Sequence, residues 1–199
     1  QQIRGLKPKI LVVVGDDAAD WAGKNWHGSP VIYSGTLRHA VRDISPGVVR
    51  GVSLELGIGQ QLKVIRDFLP NVKIVGVFLD ASFNGARQKE MEAAGPPLGM
   101  TVWAEPVAQN KDLTRALNSM GGKIDALLVV FDPFVTRPEI FQYLVRFSLL
   151  HRVPIVVPAY SFLKNGGVMS IESRYESIGR QTAGLVKARS AAEFQAVNA

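Results

Sequence analysis

Short runs of β-branched and other apolar residues, unbroken by polar ones, limit what this chain can fold into more than any other feature. Residues 9–15 (KILVVVG), 73–79 (KIVGVFL), 125–131 (DALLVVF) and 154–160 (PIVVPAY) each carry one. A strand with one wet face alternates apolar and polar residues; a strand that stays apolar at successive positions is covered on both faces. Coverage of that kind belongs to a parallel sheet with helices on either side, and the intervening segments supply the helices. Asp17 and Asp20 suit a helix N-terminus after the first run. Residues 59–69 place Leu62, Ile65 and Leu69 at helical spacing, and Pro70 stops the helix. A helix over 85–94 is broken by Gly95-Pro96-Pro97. Asp112 is placed to cap a helix with Leu113, Ala116, Leu117 and Met120 on one face. Thr136-x-x-Glu139 and Ser173-x-x-Glu176 read as capping boxes. The first opens a helix to about Arg152, and the second one that carries Tyr175, Ile178, Thr182 and Val186. The last ten residues read as a tail of mixed polarity. Residues 30–35, 48–56 and 100–107 complete the strands, the last at a sheet edge because Pro106 has no N–H to donate.

Composition narrows the function classes. The chain has 199 residues, 47% hydrophobic, enough for one large domain or two small lobes and too apolar for a disordered chain. None of its apolar runs approaches the length of a bilayer span. The opening residues, QQIRGLKPK, lack the apolar stretch of a signal peptide. With no cysteine, disulfides, thiolate metal sites and cysteine nucleophiles are excluded. The net charge of +6 comes from scattered Lys and Arg, with no run of five like charges, so no nucleic-acid partner is expected. GxSxG, Walker A and GxGxxG motifs are absent; Gly57-Ile58-Gly59 lacks the third glycine of a phosphate loop. His27, His39 and His151 stand apart in the sequence without metal-ligand spacing. The expectation is therefore neither an enzyme nor a cofactor or metal protein.

Ligands of open parallel sheets sit beyond the carboxyl ends of the strands. That rule selects Asp16 and Asp17 after the first run, Ser34-Gly35 after the second, Asp80, Ser82 and Asn84 after 73–79, Asp132 and Thr136 after 125–131, and Tyr160 and Ser161 after 154–158. This rim of carboxylates, hydroxyls and amides suits a small polar molecule, with Phe83, Phe134 or Tyr160 as apolar walls. The same residue types also cap helices and form turns, which explains Asp17, Asn84 and Thr136 equally well. The paired aspartates of ILVVVGDD invite comparison with receiver domains. Asp80 lies too far along for the phosphoacceptor, and no lysine ends a suitable later strand.

Several ordered blocks resemble a known family. IRGLKPKILVVVG, SPVIYSG, GVVRGVSLELGIGQQLKVIRDFLPNVKIVGVFLD, KIDALLVVFD and VPIVVPAYSFLKNGGVMSIESRYESIGRQTA follow, from about Ile3 to Val186, the pattern of ABC-transporter substrate-binding proteins whose characterised members bind aromatic amino acids. Gln60-Gln61-Leu62 with Leu69-Pro70, and Tyr175 with Gly179-Arg180-Gln181, are the most specific matches. The resemblance implies an α/β, type 1 periplasmic-binding-like fold: doubly wound parallel-sheet lobes around a cleft. Residues 53–167 would form the C-terminal lobe. A reduced N-terminal lobe of 1–52, completed by 168–199, would be incomplete, since the family's opening strand–helix units have no counterpart here. Gly15, Ser34, Ser82, Asp132 and Ser161 keep family-like residues at the cleft rim. The family's Gly-Thr-Pro-Ala is replaced by Gly15-Asp16-Asp17-Ala18, and its Ser-Asp-Asp by Pro158-Ala159-Tyr160.

The implied role is periplasmic or otherwise extracytoplasmic capture of a small, amino-acid-like ligand for a membrane permease of an ABC transporter. The alternative is a ligand-sensing or accessory signalling domain working with a receptor. The candidate ligand-binding residues are Gly15, Asp16, Ser34, Asp80, Ser82, Asp132, Tyr160 and Ser161. Asp132 would accept from an ammonium or hydroxyl group, and Ser82 and Ser34 would bond a carboxylate or amide. Asp132 is expected at a strand end outside the core. The run 9–15, apolar on both faces, is expected to leave a face or edge bare and to support a homodimer through the N-terminal segment.

Overall fold

In the computed structural model, residues 2–37 and 49–197 are described. Along the chain come α1 (Gln2–Gly5), β1 (Leu11–Val14), α2 (Asp16–Asn25), β2 (Val31–Thr36), β3 (Val49–Ser53), α3 (Ile58–Phe68) and β4 (Ile74–Asp80). A short 3-10 turn (Gly85–Arg87) leads into α4 (Gln88–Ala94), followed by β5 (Thr101–Val107), α5 (Asn110–Met120), β6 (Ala126–Leu128) and α6 (Pro138–His151). Then come β7 (Ile155–Val157), a 3-10 turn (Tyr160–Asn165), β8 (Met169–Ser170) and α7 (Tyr175–Val197). They form two units, Gln1–Glu55 with Ser173–Ala199, and Leu56–Glu172.

The first unit is built on a parallel sheet of order β1-β2-β3. Alternation sorts its side chains. Val13 and Val31 pack with Ala19 and Ala22 of α2 on one face. On the other face α7 lies against β2 and β3, where Thr182 Oγ1 donates to Ser34 Oγ at 2.8 Å. Among the described residues, β1 pairs only with β2. Val12 and Val14, on the face away from α2, are 41% and 72% exposed.

The second unit carries a five-stranded parallel sheet of order β5-β4-β6-β7-β8. The four long runs assigned to this region share that sheet, and β5, which contains Pro106, is its edge. Val75, Val77 and Leu79 of β4 pack with Leu62 and Ile65 of α3 and Met91 of α4 on one face. Phe78, Leu127 and Ile155 pack with Leu113 and Met120 of α5 and Ile140 and Leu144 of α6 on the other. Both faces are covered, as unbroken apolar strands require. Counted within the unit, the strands run 2-1-3-4-5, and connections leave in opposite directions between β4 and β6. That is a topological switch point.

Several local expectations are corrected. α5 starts at Asn110 with Gln109 at its N-cap, so Asp112 sits in the first turn and caps nothing. Thr136 does not cap α6: its hydroxyl donates to the Asp132 carbonyl, while Arg137 takes the N-cap and Pro138 opens the helix. The Ile178 N–H bonds the Arg174 carbonyl, so α7 begins one residue later than a Ser173 cap allows. Its backbone stays helical to Val197, where a tail was expected. β6 and β7 are shorter than their apolar runs, and β8 and α1 carry no sequence signal. Most of the polar stretch before Gly47, with His39, lies outside the described residues.

Candidate functional site

In the first unit, Gly15 ends β1 and caps α2 with φ 81°, a left-handed conformation that favours glycine. Its N–H donates to the Ser34 carbonyl at 3.0 Å. Asp16 opens α2, and its Oδ1 accepts from the Leu37 N–H at 2.7 Å. These two residues therefore close over the carboxyl ends of β1 and β2. The Ser34 side chain is different: it points to the α7 face, buried and bonded to Thr182.

In the second unit the candidate residues Asp80, Ser82 and Asp132 lie at the switch point. Asp80 ends β4, and its Oδ1 accepts from both the N–H (2.9 Å) and the hydroxyl (2.6 Å) of Ser82. This fixes the turn that follows the strand. Asp132, after β6, does not reach outward. It is 2% exposed, which corrects its expected place outside the core. Its Oδ2 accepts from the Asp80 N–H and from Asn84 Nδ2, each at 2.8 Å. Its Oδ1 accepts from the N–H groups of Phe134 (3.0 Å) and Val135 (3.1 Å). Buried Arg87 extends the network, donating to Asn84 Oδ1 at 3.3 Å. One carboxylate thus ties together the two loops at the switch point. Phe134, expected as a wall, is packed in the core.

After β7, the Tyr160 N–H donates to Glu172 Oε2 at 3.1 Å, and its ring is exposed. Ser161 borders a pocket of about 250 Å³ lined also by Thr136, Phe141, Gln142, Phe162 and Asn165. Sequence reasoning missed Phe141, Gln142, Phe162 and Asn165. Helical spacing from Pro138 was the available signal for the first two. Among the described residues, no three His, Asp or Glu side chains group to hold a metal, and no helix is long and apolar enough to cross a membrane.

The family of ABC transporter substrate binding proteins matches residues 1–189. The chain belongs to that family. Solved structures share its fold. A ligand-free, open substrate binding protein with adhesive properties from Clostridium difficile is 17% identical, with a TM-score of 0.68 over 96% of this chain. An ABC domain from Streptococcus pneumonia, solved in complex with L-Trp, is 23% identical, with a TM-score of 0.62 over 93% of it. A conserved domain protein from Vibrio cholerae is 21% identical, with a TM-score of 0.63 over 96%. The chain spans 66% of the length of each of those proteins. No curated protein matches it significantly. Its fold is the α/β, periplasmic-binding-like one, with parallel sheets in both units.

Proposed function

We propose that this protein is the solute-binding component of an ABC importer. It captures a small polar, amino-acid-like solute outside the cytoplasm, passes it to a membrane permease and performs no catalysis. The observation that carries this reading is the family match along nearly the whole chain. Asp80 and Ser82 at the switch point, with Ser161 beyond the end of β7, support it, because ligands of such sheets bind beyond the carboxyl ends of the strands. In this reading the lobes are 1–52 with 168–199, and 53–167. Gly15, Asp16, Asp80, Ser82, Tyr160 and Ser161 keep ligand-contacting roles. Asp80 Oδ2 accepts from an ammonium group, its other oxygen being held by Ser82. Asp132 and Ser34, both buried and bonded within the fold, position the rim instead. The reading includes self-association through β1, supported by its exposed Val12 and Val14.

A thermal-shift screen of amino acids, small peptides, nucleosides and carboxylic acids tests it. A solute at a hundredfold excess over its Kd adds about 2.7 kcal/mol, or about 5–10 °C in Tm for a chain of this size. Asp80→Ala should reduce the shift given by any ammonium-bearing hit. No shift across the panel would favour the signalling or accessory alternative.

A further inference from the structure

The pocket beside Ser161 has a composition unlike the rest of the rim. Asp80 and Asp132 dominate the switch point, yet no charged side chain lines this cavity. Its floor is aromatic: Phe141, 2% exposed, meets the half-buried Phe162 edge to face, with ring centroids 5.0 Å apart. Its rim holds the Ser161 hydroxyl and the carboxamides of Gln142 and Asn165. Among the described residues, the Ser161 hydroxyl and the Gln142 carboxamide have no hydrogen-bond partner. Asn165 uses one N–H on the Ser161 carbonyl, leaving its oxygen and a second N–H. The neighbouring cation is engaged elsewhere. Arg137 donates through Nε to the Phe134 carbonyl, and its guanidinium lies 4.3 Å from the Phe134 ring centroid. The positive end of the α6 dipole already has Glu139 in its first turn.

We infer that this pocket is a subsite for a flat, uncharged carboxamide group of the solute, stacked on Phe162 and bonded by Gln142, Asn165 and Ser161. The inference rests on the solute-capture reading and specifies one end of the solute. Three features select that chemistry. A carboxylate or ammonium seated here would lose water without gaining an opposite charge, which is costly. A carboxamide offers donors and an acceptor that match those of two facing amides and a hydroxyl. The volume of about 250 Å³ falls below the roughly 300–1,000 Å³ of sites for drug-sized ligands, so one end of a solute enters and its charged groups stay at the rim.

Matched pairs that differ only in this group provide the test: L-glutamine against L-glutamate, L-asparagine against L-aspartate, and nicotinamide against nicotinate. Each is titrated calorimetrically into the full chain. The amide member of at least one pair should bind tenfold or more tightly than its acid. Gln142→Leu and Asn165→Leu, at exposed positions that leave the core intact, should each shrink that preference to less than threefold. Equal or tighter binding of the acids overturns the inference, as does a preference that survives both variants. If none of the six probes binds while another solute of the wider screen does, the inference falls and solute capture stands. If nothing binds at all, both fall.

Discussion

Asp132 shows how much one side chain can carry at the switch point. Both of its oxygens are filled by donors from two loops, and two of those donors, the Asp80 N–H and Asn84 Nδ2, are 52 and 48 positions away in sequence. Removing the carboxylate leaves buried N–H groups without partners, at about 1–3 kcal/mol each before water or relaxation compensates. Asp132→Ala is therefore expected to lower unfolding stability by about 3–5 kcal/mol in a urea titration, and Asp132→Asn by about half that. A loss below about 1 kcal/mol for the alanine variant would show that the network does not brace the loops. The sequence makes Asp132 visible as a polar residue after an apolar run, and nothing more. Whether such a carboxylate faces outward or binds backbone behind it depends on donors brought in by another strand. Ser34 was opaque for the same reason, since its partner Thr182 lies 148 positions later.

At the scale of elements, the apolar periodicity carried most of the information. α3 was legible because Leu62 and Ile65 repeat at helical spacing, and both are fully buried against β4. Leu62→Ala should cost about 2–5 kcal/mol, measured by the same denaturation; a cost under 1 kcal/mol would mean the face is not packed as described. Helix starts were less legible. At α6 the Thr136 hydroxyl has a competing acceptor in the Asp132 carbonyl, and Pro138 fixes the first helical position. β8 is two residues long, too short for an alternating pattern to mark it, although Met169 packs against the core beside Val156. β1 was legible as an apolar run, and its exposed Val12 and Val14 lie beside a strand edge that is unpaired among the described residues. Such an edge favours pairing with another chain. Sedimentation velocity at tens of micromolar, a rough working range, should show a concentration-dependent dimer. Val14→Lys should shift it to monomer. A strict monomer at every concentration would contradict self-association through β1.

For the whole molecule, the strand order matters most. Alternating strands and helices require parallel sheets, but the order 2-1-3-4-5 in the second unit depends on which edge each new strand joins. That order puts the ends of β4 and β6 side by side and brings Asp80, Ser82 and the Asp132 brace together there. The family resemblance in the sequence anticipated the fold; the pocket beside Ser161 emerged only when α6 and the turn after β7 were placed together. Isothermal titration calorimetry of the best ammonium-bearing thermal-shift hit decides whether this chain binds a solute. Saturable binding of one solute per chain is expected, with a Kd of about 1 μM or tighter, about −8 kcal/mol, weakened at least tenfold by Asp80→Ala. Heats that never saturate would contradict solute binding, and an unchanged Kd for the Asp80→Ala protein would contradict the placement of the ammonium group on Asp80.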